Sequence, residues 1–371
     1  MRSQLFPSIA VLVGTIVGAG FLGIPYVVSK SGLMIGLIYL IVLGLIMLYI
    51  NLCLGEIILR TNGNHQLTGY AEKYFGKTGK FVMMLVVVFG IASALLAYSI
   101  GIGESLSNLL FQNSEFTLHF GIITISLASL ITFFGMRTFK KGEIAGIFLM
   151  GALLISIIIS YSPYIKTSNF SYSNSSFVFA PFGVILFAYL AISAIPELGI
   201  ILKKQKHKMK KALILGSIIP IIGYILFTTV VVGFRGELVP EIATISLSPI
   251  FAILGIITMF TSFLALSIIL KSVLHYDYNI PKGGSWGIIS IGTLILFIFT
   301  YWFKLASFTN VLNASGIISG TLSIILILLM AKSAKKNSER KPEYSIKLNW
   351  LIIIGIIALF IIASIVSFIK I

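Results

Sequence analysis

The sequence predicts an all-α membrane protein of eleven transmembrane helices, built as two inverted five-helix halves whose first helices are broken. Three observations carry this: an apolar composition, apolar segments of helix-spanning length, and paired glycine/proline interruptions five spans apart. Of 371 residues, 58% are hydrophobic and 10% charged, and the mean hydropathy is +1.06. A soluble domain carries about 25% charged residues, so an ordinary soluble enzyme and a disordered chain are both excluded. The single cysteine, Cys53, excludes an intrachain disulfide and a thiolate metal cluster. The four histidines are scattered in or near loops and form no zinc pair.

Eleven apolar segments run over about 7–29, 32–58, 80–110, 118–135, 143–162, 177–201, 212–233, 248–276, 285–302, 306–331 and 348–369. A membrane helix needs about 20 apolar residues; barrel strands would be shorter and alternating. The first segment follows Met1–Phe6 with no small-residue cleavage site after it, and is expected to be a retained span. Between the second and third segments, Leu67, Tyr70, Tyr74 and Phe75 share one face of a short amphipathic helix that Gly76 stops. With an inside N-terminus and alternating sides, 22 of the 27 basic residues fall on the cytoplasmic side. That bias predicts a cytoplasmic N-terminus and an outside C-terminus. It also assigns the net charge of +16 to topology and an anionic inner leaflet. Nucleic acid is a poor partner for the run from Lys203 to Lys211, one short loop without aromatic interleaving.

The first segment contains Gly14, Gly18, Gly20, Gly23 and Pro25 at mid-membrane depth. Such residues weaken a helix interior, and unpaired backbone at that depth survives only where protein or a polar cavity receives it. A packing face of the small-xxx-small kind, Gly14 to Gly18, is the alternative. The sixth segment repeats the pattern, opening at Gly183 and closing at Pro196-Glu197. Five spans apart means opposite sense in the membrane, and paired interruptions in inverted halves point to a secondary transporter with a midplane site. Half-helix N-termini suit an anionic group and freed carbonyls a cation; a zwitterionic amino acid supplies both.

At these residues the chain resembles a known family. The string from Gly14 to Pro25, GTIVGAGFLGIP, is similar to the first helix of the amino acid/polyamine/organocation superfamily. The string from Leu186, LFAYLAISAIPEL, is similar to the sixth helix of its amino acid/auxin permease branch and of the related aromatic amino acid permeases. The eighth segment, from Thr261 to Lys271, also resembles that branch. The resemblance implies a LeuT-like fold in one transmembrane domain, 1–371. The first repeat covers about 7–162, the second about 177–331, and a peripheral helix about 348–369. It implies import of amino acids driven by a sodium or proton gradient, by a protein active as a monomer. The branch commonly has a Gly-Gly pair where this chain has Leu190-Ala191, which implies a differently filled pocket.

By position in the motifs, Gly18, Ala19 and Gly20 would offer N–H groups to a substrate carboxylate. Phe187, Ala188 and Tyr189 would take the ammonium through carbonyls and line the side-chain pocket, and Tyr98 of the third span would face the site. Among carboxylates, Glu197 beside the break is the candidate gating or proton-accepting group, and Glu104 a candidate for an outer gate. Glu56 sits four residues before Arg60, and a helix-surface ion pair is its expected role. Lys271 is expected to snorkel to the cytoplasm. The resemblance also implies a possible sodium site, the one candidate cofactor, from the carbonyls of Gly14, Val17 and Thr258 with the hydroxyls of Thr261 and Ser262. Some proton-coupled relatives place a lysine from helix five there, and Glu143 to Ser162 contains none. A channel would show a filter string or a ring of like charges, and an intramembrane enzyme a nucleophile–base pair. A polyamine carrier would need several acidic groups at mid-depth; only Glu104 and Glu197 approach it.

Overall fold

The computed structural model describes residues 3–134 and 151–369. Among them, nine helices are long and apolar enough to cross a membrane, and a bent pair makes a tenth. That pair is α1 (Leu5–Ile16) and α2 (Ile24–Ser31), joined through a 3-10 turn at Ala19–Gly23. The continuous helices that follow are α3 (Leu33–Arg60), α4 (Leu67–Phe111) and α5 (Thr117–Phe134). A shorter apolar helix, α6 (Gly151–Tyr164), adjoins the segment outside the described residues, where the first part of the predicted fifth span also lies.

The predicted sixth span is two helices, α7 (Ala180–Tyr189) and α8 (Ile195–Ile201), separated by an extended residue and a 3-10 turn. Then come α9 (Met209–Arg235), α10 (Pro249–Ser272) and α11 (Lys282–Trp302). The predicted tenth span is α12 (Phe308–Ser315) and α13 (Thr321–Lys336), continuous through a π-helical turn at Gly316–Gly320. The last helix is α14 (Trp350–Ile369).

The amphipathic helix ends at Gly76 as expected: the Gly76 backbone, at φ +66° and ψ −160°, is non-helical and kinks α4 where the third span begins. One difference from the sequence reading has a simple cause. Helix α13 continues past the apolar stretch to Lys336, since helical hydrogen bonds are local and persist after hydrophobicity stops.

Two groups of helices pack together. Helices α1, α2, α3, α7, α8 and α9 form one body; α4, α5, α10 and α11 form another. Helix α12 lies between them, touching α4 and α7. Helix α14 packs on α13 and α7 and leaves most of its surface outward. Within the first body, α9 approaches α1 and α3 at small residues: a β-carbon on Gly216 would lie 2.7 Å from Leu12, and one on Gly55 2.4 Å from Leu213.

Beyond α13, residues 338–348 form a strap across the end of α3. Glu56, buried in α3, is its anchor. Its carboxylate accepts from Arg60 Nε at 2.8 Å, Ser345 Oγ at 2.9 Å and the Ile346 amide at 2.7 Å. Lys335 Nζ completes the arrangement at 3.1 Å. The Glu56–Arg60 pair expected from the sequence is thus one arm of a larger network. Tyr344 donates to Leu52 O at 2.7 Å, and Glu339 pairs with Lys73 at 2.6 Å. Burial pushes the Tyr344 phenol well above its ordinary range. The Lys73 ammonium beside Glu339, together with the Asn62 amide, holds that carboxyl below the usual carboxylate value.

Candidate functional site

The first break begins where Val17 (φ −78°, ψ 47°) and Gly18 (φ −71°, ψ −171°) leave helical geometry. Interrupting a helix strips its last carbonyls of their amide partners. One of them, Ile16 O, accepts instead from the buried Tyr224 hydroxyl at 2.6 Å. The second break begins at Leu190, whose extended backbone (φ −71°, ψ 107°) ends α7.

The two breaks meet. A β-carbon built on Gly20 would lie 2.8 Å from the Phe187 ring and 3.4 Å from Ala188 Cα. Glycine at position 20 is therefore a packing requirement: the backbone after the first break touches the end of α7. Tyr224 hydroxyl lies 3.2 Å from Ala188 O as well as reaching Ile16, so α9 touches both breaks.

Around Gly18 the surroundings are polar. The space where a β-carbon would stand is 3.5 Å from Tyr98 Oη, 3.5 Å from Thr15 O and 3.7 Å from Ser262 Oγ. Three predicted residues from three distant parts of the chain, Gly18, Tyr98 and Ser262, thus converge on one point.

The remaining predicted residues distribute differently. The Phe187 carbonyl already accepts from Leu190 N at 3.0 Å. Tyr189 is buried with its hydroxyl on Leu40 O of α3 at 3.0 Å. Ala19 opens the 3-10 turn after the first break. Thr258 is fully buried and donates to Gly255 O at 2.8 Å, while Thr261 donates to Thr258 O at 3.0 Å. Both hydroxyls therefore back-bond within α10, as membrane-helix threonines commonly do; their oxygen lone pairs remain chemically able to face a cation. Gly14 lies within regular α1 and Val17 at its end. The donor set suits a hard cation in kind, oxygen only and uncharged. Of the lysine-free fifth span, residues 143–150 lie outside the described residues.

Glu197 occupies the first turn of α8, directly after the second break, and is exposed. Glu104 is half-buried near the end of α4, within electrostatic reach of Glu241. Glu241 in turn accepts the Thr309 amide at 2.9 Å at the start of α12, a position where a carboxylate is favoured. Lys271 donates to Thr132 O at 3.1 Å, which ties α10 to the end of α5.

Sequence reasoning missed Tyr224, Glu241 and the Gly183–Gly316 contact. A β-carbon on Gly316 would sit 1.9 Å from Gly183 O, so α7 and the π-turn touch backbone to backbone. Gly183 was visible as the opening of the second interruption, but nothing local marks Tyr224 as the residue reaching both breaks.

The model of the tryptophan/tyrosine permease family matches residues 1–367. The chain belongs to that family, whose members are transporters and not enzymes. Glutamine transporter 2 of Aliivibrio fischeri is 24% identical over 93% of this chain and 93% of its own length. Tyrosine-specific transport system 1 of Haemophilus influenzae is 25% identical over 59% of this chain and 55% of its own. The DL-alanine permease SerP2 of Lactococcus lactis is 27% identical over 54% and 47% respectively. The latter two alignments span about half of each relative.

Proposed function

We propose that this chain is a secondary active transporter that imports amino acids across the cell membrane by alternating access. The observation that carries the reading is the meeting of two interrupted helices, with Gly20 against Phe187 and Ala188 and a polar point at Gly18 ringed by Tyr98 and Ser262. The names of the relatives, which carry glutamine, tyrosine and alanine, support an amino acid as cargo. In this reading the carboxylate lies at the Gly18–Gly20 backbone beside Tyr98 and Ser262. The ammonium lies at carbonyls near the end of α7, and the side chain lies against Phe187.

The segregation of α1–α3 with α7–α9, apart from α4, α5, α10 and α11, supports a LeuT-like fold of two inverted five-helix repeats with α14 peripheral. One body rocking on the other exposes the site to each side in turn. The basic bias supports a cytoplasmic N-terminus and an outside C-terminus against an anionic inner leaflet. The chain acts as a monomer in this scheme. The coupling ion is sodium at Gly14, Val17, Thr258, Thr261 and Ser262, or a proton carried by a carboxylate such as Glu197, with Glu104 toward the outer side.

The test is uptake of tryptophan, tyrosine, glutamine and alanine into liposomes under an imposed sodium or proton gradient. Uptake of at least one, saturable and gradient-dependent, is expected; no uptake of any amino acid overturns the reading. Replacing sodium with choline, then repeating with Thr261→Ala, separates the ions. Uptake indifferent to sodium but collapsed by a protonophore discards the sodium site.

A further inference from the structure

Tyr224 lies four residues after Pro220 in α9 and is fully buried. Its hydroxyl stands 2.6 Å from Ile16 O and 3.2 Å from Ala188 O. Ile16 is the last residue of α1, and Ala188 the penultimate residue of α7. Both carbonyls belong to the group at a helix end that has no amide partner within its own helix. One hydroxyl from a third helix therefore serves the two interrupted helices at once.

The ring is held as firmly as the hydroxyl. It stacks on Phe21, in the turn after the first break, at 6.1 Å between centroids and 15° between planes. It also lies 5.2 Å from the Tyr189 ring at the second break. A phenol carries one proton, so it cannot fully satisfy two carbonyls. The shorter contact takes the proton, and Ala188 O keeps acceptor capacity for another donor.

We propose that Tyr224 is the positioning residue that ties the two helix breaks together, donating its proton to Ile16 O and leaving Ala188 O to accept from the substrate ammonium. This rests on the amino acid transporter reading above. Tyr344 of the strap provides the internal contrast. Its hydroxyl donates to Leu52 O inside the uninterrupted helix α3, so its loss loosens the strap without freeing a break.

The experiment compares Tyr224→Phe with Tyr344→Phe in liposome uptake and in amide hydrogen exchange of detergent-purified protein. Tyr224→Phe keeps the ring and its stacking. Its half-saturation constant is expected to rise about tenfold, with a much smaller change in maximal rate, while Tyr344→Phe stays within about twofold of wild type. Exchange at residues 17–23 and 189–194 is expected to quicken about tenfold together in Tyr224→Phe and not in Tyr344→Phe. Unchanged exchange at both segments overturns the tie whether or not the protein carries amino acids. Equal rises in half-saturation for both variants also overturn it, by reducing Tyr224 to packing. Wild type that carries no amino acid overturns the functional reading, and the exchange data then decide the tie alone. If Tyr224→Phe does not purify, 3-fluorotyrosine at position 224 keeps the fold with a stronger donor. Slower exchange at both segments supports the tie, and unaltered exchange overturns it.

Discussion

Replacing Gly18 with alanine separates folding from binding at a single atom. The added β-carbon would stand 3.5 Å from Thr15 O and Tyr98 Oη and 3.7 Å from Ser262 Oγ, all ordinary contacts. The backbone there, at φ −71° and ψ −171°, is one that alanine adopts freely. The protein itself therefore loses nothing. A compatible Gly→Ala change stabilises by about 0.4–1 kcal/mol through the unfolded chain, so the melting temperature is expected to hold or rise slightly. The methyl group nonetheless fills the gap between the two hydroxyls where the substrate carboxylate is placed. Loss of one hydrogen bond to a charged group costs about 1.5–3 kcal/mol. That corresponds to about a 10- to 150-fold rise in the half-saturation constant. Thermal melting in detergent and concentration-dependent uptake in liposomes, on the same preparation, read the two effects apart. A Gly18→Ala protein with uptake within about twofold of wild type refutes the placement of the carboxylate. A large drop in melting temperature refutes the claim that the space is open.

Other substitutions act on the fold around the site. Gly20→Ala drives a β-carbon to 2.8 Å from the Phe187 ring, and should cost about 1–3 kcal/mol by melting. Because the obstacle is a side chain, Gly20→Ala with Phe187→Leu should recover much of it; no recovery would mean the Ala188 backbone is the true obstacle. Gly316→Ala meets Gly183 O at 1.9 Å, a backbone atom that no rotamer change clears, and is expected to cost at least about 3 kcal/mol. Melting within a degree or two of wild type would disprove the close approach. Glu56→Gln leaves Arg60 and Lys335 without their shared carboxylate and is expected to cost about 3 kcal/mol and loosen the strap, read by melting and by trypsin cleavage after Arg340. The strap should also respond to acid. Glu339, lowered by Lys73, and Glu343, lowered by Arg340 against its partial burial, both sit below the ordinary value. A depressed carboxylate stabilises above its unfolded pKa and loses that contribution as pH falls through the folded value. Strap protection should hold at neutral pH and fall away below about pH 4; cleavage independent of pH in that window would remove these carboxylates from the account.

The apolar spans found among the described residues and the two interruptions were legible in the chain, because a bilayer imposes its thickness and its intolerance of unpaired backbone on sequence directly. Gly18, Gly20 and Pro196 mark the breaks for the same reason. The Glu56–Arg60 pair was legible because four residues is one helical turn. Nothing of that kind reveals Tyr224, which is one tyrosine of fifteen and lies in an apolar helix like its neighbours. Its role exists only once α9 lies against both breaks, with Ile16 and Ala188 brought from 208 and 36 residues away. The same holds for Ser262 beside Gly18, and for Gly183 against Gly316. A local motif can show that a helix must break, since the cause is the backbone of that segment. Which atoms then satisfy the broken ends is decided by helices distant in sequence, and only their packing supplies it.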